Sequence, residues 1–272
     1  MEFIRSCISR VVGNDLSLAG MFAVLVIAET LLPRGGQRVS LVSRLRAATF
    51  WVVWMPFTVV TLFAFQAVWV RLGVEPLIPS LAPTGWPRPL AIIVAGFGSA
   101  FIGDFFYYWC HRAQHRFFWR FHAVHHSIRD LSAVSGYHHV SDEAFKLILY
   151  SGPLTLLIND PFSFPILGAL LGFQGFYLHS VTKLHFGPLG WLIQDNRFHR
   201  IHHSVEAQHF DKNFGVFTTL WDHLFGTAYV PGPDEWPETG VGEIDEPMTV
   251  LDYLLQPFRP RIRDAGEVAT PT

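Results

Sequence analysis

The sequence predicts an all-α integral membrane bundle: three spans plus a re-entrant helical hairpin, with a histidine-rich cap on the cytoplasmic face. Three observations predict it. Half of the 272 residues are hydrophobic and only 15% are charged, whereas soluble domains carry roughly a quarter charged residues. The apolar residues are gathered into runs long enough to cross a bilayer. Fourteen histidines, side chains of intermediate burial that rarely accumulate without a task, fall mostly in dense groups just beyond those runs.

Taken in order, Leu16 to Leu32 is the first span, interrupted only by Ser17, Glu29 and Thr30; Glu29 is expected at the interface with no assigned role. The run is longer than a signal-peptide core, and no small-x-small cleavage site follows it. Ala47 to Val70 is the second span, kinkable at Pro56, and Pro89 to Cys110 is the third, opened by proline at a first-turn position. From Lys146 about twelve mostly apolar residues reach Ile158, the breaker Asn159-Asp160-Pro161 follows, and a second run returns from Phe162 to His179. Twelve helical residues rise only about 18 Å, so this segment is read as a hairpin that dips in and comes back on the same side. Arg34, Arg38, Arg44 and Arg46 lie between the first two spans with no acid among them, which places that loop in the cytoplasm. The third span then delivers His111 to the same face, and the hairpin leaves His179 there too.

No Ser/Gly-rich linker divides the chain, so residues 1–230 are read as one membrane-embedded domain and 231–272 as a polar tail. The net charge of −2 and pI near 6.7 leave no basic field for nucleic acid. Two cysteines, Cys7 and Cys110, form no CxxC pair, which argues against a disulfide scaffold or a cysteine-ligated metal site.

Two octets carry the chemistry: Phe-His-Ala-Val-His-His-Ser-Ile at Phe121–Ile128 and Phe-His-Arg-Ile-His-His-Ser-Val at Phe198–Val205. On a helix, positions i, i+3 and i+4 share a face, so His122, His125 and His126 project together, as do His199, His202 and His203. His111 and His115 form a third group at i, i+4, with Asp104 and Tyr108 on the same stripe one and two turns earlier. Eight imidazoles exceed what one first-row ion holds, so two metal ions are implied and the cap is a di-metal one. An acid inside a span marks function by default. Asp104 is expected to accept the free ring N–H of His111 or His115 and orient the ligand.

The ordered set His-x3-His, His-x2-His-His and His-x2-His-His, preceded by Asp104-Phe-Phe-Tyr-Tyr-Trp, resembles the fatty acid hydroxylase / sterol desaturase superfamily of membrane di-iron oxygenases. The likeness runs from about residue 89 to 229. Gly136-Tyr-His-His-Val-Ser-Asp142 resembles the family's aromatic-x-His-Pro-x-Glu element, which would make His139 a ligand and Asp142 its acidic neighbour. Val140 stands where proline is common, and Asp142 where glutamate is. Leu178-His179-Ser180 resembles the family's His-Ser element and recruits His179. The segments Asp211-Lys-Asn-Phe-Gly215 and Trp221-Asp-His-Leu-Phe-Gly-Thr227 resemble its closing signatures, and Asn213 joins Asp104, Tyr108 and Asp142 as a residue supporting the ligands. His138, His185, His209 and His223 are given no role.

The resemblance implies a catalytic domain with two iron ions and O2 as co-substrate, acting on an alkyl C–H position of a lipid by hydroxylation or desaturation. Sterols, fatty acyl chains, ether lipids, sphingoid bases and carotenoids are all open as substrates. Imidazole suits zinc as well as iron, so zinc is expected to compete in recombinant protein. No flavin, nicotinamide, haem-attachment or iron–sulfur motif occurs in the sequence, which implies electrons from an external ferredoxin- or cytochrome-type donor with its reductase. Phe105, Tyr108, Phe118 and Trp119 are candidates to wall a lipid tunnel. Alternative readings are a bis-histidine haem carrier, which needs single histidines deep in different spans, and a zinc hydrolase, whose His-Glu-x-x-His is absent from the sequence. A metal transporter would instead line a path through the bilayer.

Overall fold

The computed structural model describes residues 19–158, 165–242 and 244–259, with the side chains of 165–171 left undescribed. Among the described residues regular structure is helical, with five isolated β-bridges and no strand. The described part of the first predicted span is α1 (Ala19–Leu31), thirteen residues and shorter than a crossing. The remainder of that span lies outside the described residues.

Among the described residues two helices are long and apolar enough to cross a membrane: α2 (Leu41–Arg71) and α3 (Arg88–Phe117). Ser40 caps α2 by accepting the Ser43 backbone N–H at 3.0 Å. The helix buries a strip of Ser43, Ala47, Phe50, Trp51 and Trp54. These positions recur at helical spacing and define one face. Val52, Phe57, Val60, Val68 and Val70 stay exposed, as suits a helix packed on one side and facing lipid on the others. Pro56 sits inside α2, where its missing N–H leaves the Val52 carbonyl without its usual intrahelical donor. The third predicted span does not stop at Cys110. It continues two more turns as α3, and its end carries His111 and His115.

Phe118 breaks α3 from α4 (Trp119–His126), which bears the first octet. The predicted hairpin is α5 (Asp142–Lys146), a π-helical turn (Leu147–Ser151), α6 (Gly152–Leu157) and α7 (Pro165–Leu178); its breaker at 159–161 lies outside the described residues. The second octet is on α8 (Asn196–His202), whose N-cap Asp195 accepts the N–H groups of Arg197 and Phe198. Then come α9 (Leu220–Phe225) and α10 (Val250–Leu255).

The main apolar core joins the inner strip of α2 to Val124, Ile128, Leu131, Val134 and Tyr137, and to Tyr253 of α10. Phe50, fully buried, stacks on Tyr253 at 4.9 Å and meets Tyr137 edge-on at 4.7 Å. Tyr253, beyond residue 230, therefore packs into the body of the protein, and its hydroxyl donates to the backbone carbonyl of His138 at 2.6 Å. Phe50→Ala removes the centre of this three-ring stack and is expected to cost about 3–5 kcal/mol, read as a lowered midpoint of reversible unfolding in detergent.

Candidate metal centre

Nine of the ten histidines proposed as ligands from sequence lie in two adjacent groups. The imidazoles of His111, His115, His122, His126 and His202 form one, those of His125, His179, His199 and His203 the other, and within each group the ligand atoms lie within 4.8 Å of one another. All nine are buried. Each octet splits between the groups, with His122 and His126 on one side and His125 on the other. The His111 and His122 Nε2 atoms are 3.0 Å apart, and those of His115 and His126 3.1 Å. In the second group the Nε2 atoms of His125, His179, His199 and His203 follow one another at 3.3, 3.1 and 3.2 Å.

Backbone carbonyls decide which way these rings face. A carbonyl oxygen can only accept, so an imidazole nitrogen beside one carries the proton. His111 Nδ1 donates to Phe214 O at 2.8 Å, His125 Nδ1 to Tyr137 O at 2.9 Å, His179 Nδ1 to Gly175 O at 3.0 Å and His202 Nδ1 to Lys212 O at 2.7 Å. Each Nε2 is then a bare lone pair turned inward. His125 and His179 thus point two lone pairs at each other across 3.3 Å, an arrangement that repels unless a cation lies between them. His202 Nε2 is buried with no hydrogen-bond partner among the described residues. Inward donors of this kind fit metal ions, and nine imidazoles in two sets fit two of them.

Glycines let the backbone come this close. A Cβ at Gly136 would lie 2.6 Å from His179 Nδ1, and one at Gly215 would lie 2.4 Å from Thr218 O. Gly215 belongs to a loop whose successive amides are all accepted by two buried carboxylates. Asp222 takes the N–H groups of Phe214 and Gly215, and Asp104 those of Val216, Phe217 and Thr218, at 2.8 to 3.0 Å. The loop's first carbonyl, Phe214 O, is the one that orients His111. The expectation that Asp104 accepts a histidine N–H is thereby corrected. Its carboxylate is saturated by backbone donors and acts on His111 through the loop.

The other supporting residues have equally definite partners. Tyr108 OH lies 2.9 Å from Thr227 Oγ1, which donates to Asp222. Asn213, at φ +59°, donates to Phe198 O and Tyr229 O and accepts the Tyr229 N–H, tying the loop to α8.

His139 is the exception among the ten. Its Nδ1 faces Ser141 Oγ at 2.7 Å and its Nε2 faces Leu254 O at 3.3 Å, so both ring nitrogens are engaged away from the groups. His138 takes the place beside them. It stacks on His125 with ring centres 3.9 Å apart, and its Nδ1 lies 2.7 Å from Asp142 Oδ2. Asp142 also lies 3.6 Å from His122 Nδ1, so it serves His138 and His122 and not His139. In a His-His pair at the end of a loop, the face each ring takes depends on the turn, which periodicity does not report.

Glu29 is the residue that sequence reading missed. It is buried at 2% exposure; its Oε1 accepts the N–H groups of Ala133 and Val181, at 2.9 and 3.1 Å, and its Oε2 pairs with Arg44. It ties α1 to the segments that deliver His138 and His179. An acid within an apolar run was its only signal. His209 is buried between Ser204 and Glu235, His185 accepts the Gly187 N–H, and His223 lies against Trp191. Trp119 lies against the His115 and His126 rings, Phe118 stacks on Phe145, and Phe105 and Tyr108 pack against α9.

Burial first, and neighbouring imidazoles second, hold His122, His126, His199, His202 and His203 well below their ordinary 6.5. The groups are therefore neutral at pH 7, the state a metal needs.

Fold and site together define a helical protein with two span-length apolar helices and a buried polyhistidine centre. Residues 97–227 match the fatty acid hydroxylase family. The chain is 32% identical over 180 residues to the ornithine lipid hydroxylase of Rhizobium tropici, covering 65% of this chain and 53% of that protein. It is 32% identical over 132 residues to the alkylglycerol monooxygenase of Homo sapiens, covering 47% and 29%. It is 28% identical over 177 residues to a very-long-chain aldehyde decarbonylase of Arabidopsis thaliana, covering 60% and 28%. The chain thus spans about half, or less, of the length of these relatives. No solved structure matches it. The helical core that carries the histidines, residues 97–227, is thus similar to the fatty acid hydroxylase family and to these lipid-modifying relatives.

Two measurements probe this geometry. Unfolded chain binds protons at these histidines near 6.5 while folded chain keeps them neutral, so the unfolded state gains protons as pH falls and stability drops with it. Metal-free protein in detergent is expected to lose thermal stability steeply from pH 7 to pH 5; a flat profile would contradict buried neutral imidazoles. Asp104→Asn sets an amide N–H2 against backbone donors, and is expected to cost about 1–3 kcal/mol and to lower bound metal through His111.

Proposed function

We propose that the protein is a membrane-bound di-iron oxygenase that hydroxylates an alkyl C–H position of a lipid, using O2 and electrons from an external ferredoxin- or cytochrome-type donor. The observation that carries this reading is the pair of adjacent histidine groups with Nε2 lone pairs turned inward. Imidazole donors alone do not choose iron over zinc; the likeness to the fatty acid hydroxylase family favours iron. Two iron ions held there would supply the redox chemistry that turns dioxygen against an unactivated C–H bond.

The chain's own residues do the rest. His111, His115, His122, His126 and His202 would hold one ion, and His125, His179, His199 and His203 the other, with His138 and Asp142 beside them. The carbonyls of Phe214, Tyr137, Gly175 and Lys212 fix the ring tautomers, so the lone pairs need no reorganisation. Trp119 and Phe214 pack on the rings and exclude water. Tyr107, 5.5 Å from the His111 ring and 5.8 Å from Tyr150, lies where α3 meets the π-helical turn and is suited to line an approach from the apolar side.

Support for a lipid substrate comes from the two span-length helices and from relatives named for lipid hydroxylation and alkylglycerol monooxygenation. Those names favour hydroxylation over desaturation. The cytoplasmic orientation of the centre rests on the arginine-rich loop after α1.

Cells with and without the gene are to be compared by lipid mass spectrometry, expecting a lipid heavier by one oxygen only when the gene is present. Loss of two hydrogens would mean desaturation, and an unchanged lipid profile would overturn the reading. His202→Ala and His125→Ala, one from each group, are expected to abolish that product and lower metal content. Near-normal product from either would remove that residue from its group. Purified protein with NAD(P)H and O2 but no reductase is expected to be inactive.

A further inference from the structure

Arg200 stands in the second octet between His199 and His202, yet its side chain serves none of the histidines. It is 4% exposed and lines a cleft of about 370 Å3 together with Gln37, Arg129, Glu238, Gly240 and Gly242. Its Nε donates to Pro237 O at 2.7 Å, and its guanidinium lies over the Trp236 ring at 4.4 Å. The same ring is shared by the Arg34 guanidinium at 4.9 Å. Trp236 is anchored in turn by donating to Gln37 Oε1.

What Arg200 lacks is a counter-ion. Its Nη1 is buried with no hydrogen-bond partner, and no carboxylate lies within ion-pair distance of it, among the described residues. Glu238, in the same cleft, acts on Arg200 electrostatically but is exposed and forms no such pair. A buried guanidinium without an anion is costly, and a second arginine on the same indole adds repulsion.

A second cation lines the cleft. Gly240, at φ +127°, lets Arg129 come close, because a Cβ there would lie 3.1 Å from Arg129 Cγ. The ion-pair partner of Arg129, Asp245 at 3.4 Å, is 92% exposed, so the pairing is weak.

We propose that this cleft binds a phosphate-type oxyanion, clamped between the Arg200 and Arg129 guanidinium groups. Arginine's planar fork suits a tetrahedral oxyanion. Free phosphate and the phosphate of a lipid headgroup share this chemistry. None of the histidines of the metal centre lines this cleft, and the inference does not depend on the reaction proposed above.

The test is calorimetric titration of the full-length protein, in uncharged detergent at constant ionic strength, with inorganic phosphate against chloride. Saturable phosphate binding is expected, abolished in Arg200→Gln, weakened about tenfold or more in Arg129→Gln and tightened in Glu238→Gln. Because Arg200 is buried, the exposed pair decides the matter if Arg200→Gln does not fold. Phosphate no better than chloride, or unchanged affinity in both Arg129→Gln and Glu238→Gln, would overturn the proposal. Repeating the titration in nanodiscs distinguishes the sources. Loss of phosphate binding in phosphatidylglycerol but not in phosphatidylcholine assigns the site to a lipid headgroup, and equal binding in both assigns it to a soluble anion.

Discussion

Nine imidazoles held out of water, and unable to satisfy one another, are the constraint around which this protein is built. Neutral rings can share N–H···N hydrogen bonds only where one nitrogen carries a proton and the other does not. Four of these rings have already given their single proton to a carbonyl outside the group. Their inward nitrogens are acceptors, and those of His125, which faces His179, and of His202 meet no donor among the described residues. Protonation would supply donors, but burial and mutual repulsion oppose it. A metal ion relieves the lone-pair crowding without adding a buried, unpaired proton charge to each ring, which is why the cluster reads as a coordination site and not as a core of satisfied histidines.

The polar scaffold around the cluster is arranged to keep that crowding in place. Asp104 from α3 and Asp222 from α9 between them accept five consecutive amides of the 214–218 loop. Such a loop cannot shift by one residue without orphaning several donors. Glu29 does similar work on the opposite side, joining α1 to the segments that end in His138 and His179. Buried carboxylates that bind backbone, and not the rings themselves, thus convert a set of loops into a rigid mount. Beside this mount lie α2 and α3, the two described helices long and apolar enough to cross a membrane.

Much of this was legible in the residues because it rests on spacing. The i, i+3, i+4 pattern placed both octets on short helices, and the run lengths located α2, α3 and the helical segments that end at Leu157 and Leu178. What spacing cannot report is the partner of a buried polar atom in a loop. Asp104 was marked as functional by its place in an apolar run, but its three donors come from residues more than a hundred positions away. The same limit explains His138 and His139. Adjacent histidines leave the backbone in different directions, and the choice was made by Asp142, by the His125 ring and by the carbonyl of Leu254. Arg200 shows a further limit: a residue inside a ligand motif can belong to another surface altogether.

The central claim, that the two groups hold metal ions through nitrogen, is most directly tested by metal analysis combined with X-ray absorption spectroscopy on anaerobically prepared wild-type protein. The account predicts two ions per chain, iron where the preparation is iron-replete, with first shells dominated by imidazole nitrogen. Folded protein that stays metal-free when iron and zinc are supplied, or whose bound metal shows a shell of mainly sulfur or carboxylate oxygen, would contradict it.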